Sequence, residues 1–310
     1  MNRFAYEFVL LGLIGAVLGI AAVLDPTFLS SNVQWELSGE IWELALLALG
    51  MTLIMITAGI DLSVGSALGL CSVSLGLCMH ANFPTMLCLL VCLITGLAAG
   101  ALNGTLVAVI KVHPLLVTLA TYGMYRGFAE GLQGVTTNAP VDASEGIKAL
   151  FAGNFPLVQS LFTVLAIWIA ILLGYTAAGR GFYAIGHNEQ AAKFSGIPVA
   201  KLKFWIYTLA GLLAALAAIS YSARRSATAE AGMGLELDVI TAAVVGGVSI
   251  DGGRGRIVGT LLGVLLIHET RQFVDWHWQR SELTLIVIGS LLILAVLGHR
   301  FFFAQNSARD

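Results

Sequence analysis

The sequence predicts an all-α integral membrane protein, a polytopic bundle of about ten transmembrane helices with broken or re-entrant segments and both termini cytoplasmic. Three observations predict it. Of 310 residues, 58% are hydrophobic and 11% charged, whereas soluble domains carry about 25% charged residues. Too few polar side chains remain to cover a water-facing surface, so lipid must be the solvent over much of it. Apolar runs close to the ~20 residues that cross the hydrocarbon recur along the whole chain. Lys and Arg also fall unevenly between alternate connections.

Met1-Asn2-Arg3 precedes the first run, Phe8 to Leu24. No small-x-small cleavage site follows, so the run reads as a retained helix and not a signal peptide. Further spans are expected at Ile41 to Ile60, Leu62 to Met79, Met86 to Ile110, Pro114 to Leu132 and Leu157 to Tyr175. The remainder are Phe204 to Ser222, Leu237 to Ile250, Ile257 to Glu269 and Leu283 to Leu297. No soluble domain fits between them, so residues 1–310 form one transmembrane domain.

With the N-terminus inside, ten Lys and Arg residues fall on the cytoplasmic side and five outside (Lys148, Arg224, Arg225, Arg271 and Arg280). That ratio satisfies the positive-inside rule. The polar stretch Gly134 to Pro156 is then outside. The formal net charge is −2, and no basic arm invites nucleic acid. Cys71, Cys78, Cys88 and Cys92 all lie in apolar stretches and read as small buried side chains.

Two places break the simple pattern. Ile41 to Met79 as one helix would be about 58 Å long at 1.5 Å per residue, so the chain must turn near Gly59-Ile60-Asp61-Leu62-Ser63. There Asp61 or Ser63 would cap the following helix. Leu237 to Glu269 is expected as two short halves divided by Ser249 to Gly255, a pattern of interior or re-entrant segments. Gly96, Gly100 and Gly104 repeat every four residues, as do Gly255, Gly259 and Gly263. Each set is expected to form a flat stripe where another backbone approaches.

Residues 179–203 form the longest cytoplasmic connection. Asn188 would cap a short helix through Phe194, Gly196 would end it, and Pro198 would prevent its continuation. A short helix punctuated at both ends has the shape of a docking element; a plain connecting loop is the alternative. Arg126 and Glu130 are spaced to pair on one helix face. His113, His268 and Glu269 read as structural or solvated boundary residues, as do Glu236 and Asp238. No catalytic or metal-binding arrangement is visible.

Glu189-x-Ala191-Ala192-x-x-x-Gly196-Ile197 resembles the coupling-loop motif of ABC import permeases. Gly59 to Ser66, Val112 to Thr121, Tyr183 to Asn188, and Leu237 through Gly247 to Gly263 resemble the ribose-type sugar permease family. His113, His187 and Asp251 depart from that family's pattern. The resemblance implies that Gly186, Asn188, Glu189, Ala191, Ala192, Gly196 and Ile197 form the ATPase-coupling loop. It implies a second permease subunit, identical or homologous, two ABC ATPase subunits and a periplasmic or extracellular sugar-binding protein. The setting implied is the bacterial inner membrane. The chain has no Gly-x-x-x-x-Gly-Lys-Ser/Thr loop, so ATP and Mg would be bound by the partner ATPase.

The expected cargo is a neutral sugar or sugar-like solute. An anionic solute would call for several intramembrane Lys or Arg residues, and Arg126 is the one basic residue well inside a span. A cationic solute would call for acidic clusters, which the sequence does not display. Asp61, Ser63, Asn103, Thr118 and Thr121 are the expected pathway residues. The rival reading is an ion-coupled secondary transporter starting from Asp61 and Glu269.

Overall fold

The computed structural model describes residues 5–136 and 157–307. Within them all regular secondary structure is helical. Most of the stretch expected outside, residues 137–156, lies beyond the described residues.

Helix α1 (Ala5–Leu24) is peripheral; Phe8 and Val23 are exposed, while Leu10 and Ile14 pack on Val245 and Leu266. After it, Asp25 caps a 3₁₀ turn (Pro26–Leu29), its Oδ1 accepting from the Thr27 amide at 3.1 Å. Hydrogen bonds from Thr27 hold the Asp25 carboxyl below its ordinary range. Helix α2 (Ser31–Leu37) leads through a second 3₁₀ turn into α3 (Ile41–Ile56). From Glu43 to Ile56 every residue of α3 is buried, as expected for a helix apolar all round.

Helix α4 (Val64–His80) follows the break; α5 (Thr85–Gly104) runs on through a π turn at Thr105–Val109; α6 (Pro114–Thr136) packs on α4. Helix α7 (Leu157–Tyr175) bends by 72° into α8 (Ala177–His187). At the corner Thr176 accepts from the Gly179 amide at 3.0 Å. A single turn and a half, α9 (Glu189–Phe194), leads to the long α10 (Val199–Arg224). The chain closes with α11 (Leu235–Val245), α12 (Ile257–Trp278) and α13 (Ser281–Ser307).

Helices α3 and α10 are the centre. On one side α10 packs against α4 and α5; on the other, α11 and α12 pack against α3, with α1 and α13 outside them. A helix occupies each of the ten apolar segments. Five of the described helices are long and apolar enough to cross a membrane, or six if the bent pair is one span.

The expected two short halves between Leu237 and Glu269 are corrected. The first, α11, has 11 residues, but α12 has 22 and continues to Trp278. Its last turns carry Arg271, Gln272 and Asp275, whose polarity hides the helix from a search for apolar runs. They bond to Asp238, Glu40 and Thr284 respectively.

The α5–α10 crossing is close. A methyl group on Gly100 would lie 2.9 Å from Thr208 Cα and 3.0 Å from Gly211 Cα. Gly96 meets the Gly211 backbone and Gly104 meets Phe204. The other trio is divided: Gly259 and Gly263 lie on α12 against Gly246 and Ala242, while Gly255 precedes the helix and faces Val248 and Ile56. Because the α5–α10 neighbours are backbone, they cannot rotate aside. Gly100→Leu is therefore expected to cost at least the ~1–3 kcal/mol of an overpacked core. The check is thermal unfolding of the purified protein in detergent. Gly174→Leu, at a position with open space around it, should leave the midpoint unchanged.

Candidate functional site

The segment singled out between residues 179 and 203 folds as α8, α9 and the start of α10. Asn188 is extended (φ −161°), and its Oδ1 accepts from the Ala191 amide at 2.9 Å, capping α9. At the other end Gly196 adopts φ +80°. The Ile197 amide donates to the Ala192 carbonyl and the Gly196 amide to Lys193, both at 3.1 Å. This is a Schellman stop, and it needs the left-handed conformation that glycine adopts without strain. Ile185, Ala192 and Val199 form a small apolar cluster, with Ile197 against it. Glu189 is half exposed and ion-paired with Lys203 of α10. So α9 is clamped to the bundle by one apolar contact and one ion pair, while Lys193, Phe194 and Gly196 face outward.

Gly186 has a different place. It lies where α8 crosses the end of α3, and any side chain there would collide with the Ile56 carbonyl and the Gly253 amide. Gly253 itself donates to Ile56 O at 2.9 Å, and the Tyr183 hydroxyl donates to Gly255 O at 2.8 Å. Ala58, with φ +59°, and Gly252, with φ +87°, also face each other. Thus α8, the break after α3 and the loop 249–255 converge on one point directly behind α9.

Beyond that point lies the turn at Asp61. Its Oδ1 accepts from the Ser63 amide at 2.8 Å and from the Ser63 hydroxyl at 2.6 Å. Asn103 Nδ2 donates to Ser63 Oγ at 2.8 Å, and Thr118 Oγ1 donates to the Ile60 carbonyl at 3.1 Å. Thr121 turns back onto its own helix, donating to Val117 O at 3.1 Å. Asp61, Ser63, Asn103, Thr118 and Thr121 are all buried. In this conformation the first four bind the broken backbone together.

One tyrosine joins the network and a second lies beside it. Tyr125 donates to Ala99 O at 2.8 Å, with Asn103 Oδ1 at 3.2 Å as a second acceptor. The buried Tyr207 hydroxyl lies beside Gly59 and has no hydrogen-bond partner among the described residues. A hydroxyl inside an apolar run normally finds a partner, and this is the signal that sequence reading passed over. The expected Arg126–Glu130 pair does not form. The Arg126 guanidinium donates to the carbonyls of Ala229 and Ala231 instead, because the chain between α10 and α11 offers acceptors closer to it.

The opposite end of the bundle is charged. There Arg224 pairs with Glu43, Arg225 with Glu40, and Arg271 with Asp238. Sequence analysis saw no acidic cluster because these carboxylates come from α3, α11 and the turns beside them.

A family model described as the permease component of the branched-chain amino acid transport system matches residues 37–296. The chain belongs to this family. Relatives include the ribose import permease RbsC of Bacillus subtilis, 39% identical over 90% of this chain and 88% of its own length. RbsC of Escherichia coli is 36% identical over 91% and 89%. The autoinducer 2 import system permease LsrD of Photorhabdus laumondii is 30% identical over 100% and 95%. A metal-chelate type ABC transporter solved in an inward-facing conformation has the same fold: TM-score 0.55 at 15% identity, covering 94% of this chain and 99% of that one. The protein is thus the permease subunit of an ABC importer, a multi-pass inner-membrane protein and not an enzyme. The ion-coupled secondary transporter is set aside.

The Asp61 turn generates a stability test. Asp61→Ala leaves the buried Ser63 amide and hydroxyl without their acceptor, which costs about 1–3 kcal/mol. Asp61→Asn keeps an acceptor oxygen and should retain most of the wild-type thermal midpoint. Equal midpoints for wild type and Asp61→Ala in detergent would show that the turn is held by something else.

Proposed function

We propose that this permease imports a neutral, hydroxyl-rich solute of sugar size, and that an ATPase subunit docks on α9. The cargo reading is supported by relatives named for ribose and autoinducer 2 and by the pairing of the arginines at the charged end with carboxylates. The observation that carries the docking reading is the placement of α9. It is capped at both ends, its outer face is exposed, and behind it α8 touches both helix breaks. A push on α9 would pass through Tyr183 and Gly186 to Ile56 and Gly253, and so to the turn at Asp61. Residues 179–203 then act as the coupling loop of a single transmembrane domain. Asp61, Ser63, Asn103 and Thr118 become pathway residues as that turn opens. The assembly would contain a second permease, identical or homologous, two ATPases that bind ATP and Mg, and an external binding protein.

The test is ATP-driven uptake by the reconstituted complex against sugars, branched-chain amino acids and metal chelates. Uptake of a neutral sugar is expected. Uptake confined to leucine-like solutes or a chelate would overturn the cargo reading. In the same assay Glu189→Lys and Gly196→Trp should abolish uptake while the permease still reaches the membrane. Normal rates in both would leave α9 a mere connection.

The orientation reading places both termini and α9 in the cytoplasm, with about ten spans. Three of the five outer basic residues carry carboxylate partners, which further lowers the positive charge of that end. In intact cells, an impermeant thiol reagent should label a cysteine at Asn82 and spare one at Lys193. The reverse pattern would invert the topology.

A further inference from the structure

At the end of the bundle away from α9 lies a polar cavity of roughly 210 Å³. It opens between the start of α3, the end of α10, the entry to α11 and the last turns of α12. The Glu43–Arg224 and Asp238–Arg271 pairs form two of its walls, with Tyr221 and His268 between them. Arg225 lies over the Tyr221 ring, its guanidinium carbon 5.4 Å from the centroid.

We infer that this cavity is a solute-binding site of the permease itself, shaped for a neutral monosaccharide-sized polyol on its way into the bundle. The inference rests on the import of such a cargo, argued above, and assigns the residues that would hold it. The chemistry of the walls carries it. Carboxylate and guanidinium groups fixed in pairs offer acceptors and donors side by side, and adjacent hydroxyls of a sugar need both. Each of the three arginines is already matched by a carboxylate, so none is left to hold an anionic cargo. An anion is disfavoured, since five carboxylates (Glu40, Glu43, Glu230, Asp238 and Asp275) face three arginines here. The Tyr221 ring adds an apolar surface for the C–H face of a sugar. The Asp61 network lacks these properties, because its hydroxyls and amide are largely engaged with one another.

Met233 stands exposed at the cavity mouth and can report on occupancy. The complex of permease and ATPase would be placed in lipid nanodiscs, without binding protein or nucleotide, carrying Met233→Cys and Cys78→Ser. Its labelling by a maleimide is followed with pentoses, hexoses, glutamate or leucine present. A neutral sugar that the complex imports should slow labelling at least fivefold, and glutamate should not. Asp238→Asn, Arg271→Gln and Tyr221→Ala should each raise the half-protecting concentration about tenfold. Unprotected labelling in a complex that imports the sugar overturns this site and leaves the cargo reading intact. Protection undiminished in all three variants also overturns it, since these side chains then do not hold the sugar. If no neutral sugar is imported, the cargo reading falls and this assignment falls with it.

Discussion

One hydrogen bond joins the two places where this bundle departs from regular helix: the Gly253 amide on the Ile56 carbonyl, 2.9 Å long. Inside an apolar bundle a backbone group released from a helix has no water to turn to, and leaving it unpaired costs several kcal/mol. Ending α3 at Ile56 releases carbonyls, and the loop 249–255 presents amides. Each break supplies what the other lacks. The pairing demands that two backbones touch, which is why small residues gather there: Ala58 against Gly252, and Gly186 against both strands of the contact. A side chain at Gly186 would separate α8 from the joint and leave both backbones partly unpaired.

That joint gives the fold its mechanical character. Helices α5 and α10 cross with glycine on glycine, whereas α3 and α4 are separated by a turn held by a few side-chain hydrogen bonds. Rigid packed pairs and hydrogen-bonded turns are the parts from which hinge motions are made. The α9 element sits on the rigid side, tied to α10 by the Glu189–Lys203 pair. Its neighbour α8 sits on the joint. If an ATPase docks on α9 as proposed, its push is divided between a close-packed helix pair and a turn held by a few hydrogen bonds. The unpartnered Tyr207 hydroxyl lies next to that turn, a polar group that another arrangement of the Asp61 turn could satisfy.

Local signals were legible in the sequence because they act over a few residues. Asn188 and Gly196 bracket α9 since a cap and a left-handed stop depend on the backbone within one turn. The break near Asp61 was visible because a largely apolar stretch of 39 residues, Ile41 to Met79, cannot be one straight span. Long-range pairing was not legible. Arg126 has Glu130 four residues away, yet bonds to carbonyls a hundred residues on. No local rule could show that the chain after α10 returns to that spot. The length of α12 was missed for a related reason. Hydropathy assumes lipid around a helix, but Arg271, Gln272 and Asp275 meet other side chains. The charged cavity was invisible because Glu40 and Glu43 meet arginines 185 and 181 residues further along the chain.

The distribution of polar groups then separates two tasks along the bundle axis. From Ile41 to Ile56, α3 spans about 24 Å and joins the charged cavity to the joint behind α9. Along that length the interior offers Thr52 bonded to Thr260 at 2.8 Å and otherwise mainly apolar side chains. A strongly binding residue midway would trap a polyol between the ends, and a conduit must release what it accepts. Paired charges at one end can hold a solute without trapping it, because each is already largely engaged by its partner. Neutral hydroxyls and amides at the other can exchange partners with it during passage at little cost. On the proposed reading, charge is concentrated where the cargo is first held and is sparse where it must keep moving. A bundle made for an ion would need the opposite arrangement, with charge at its midplane.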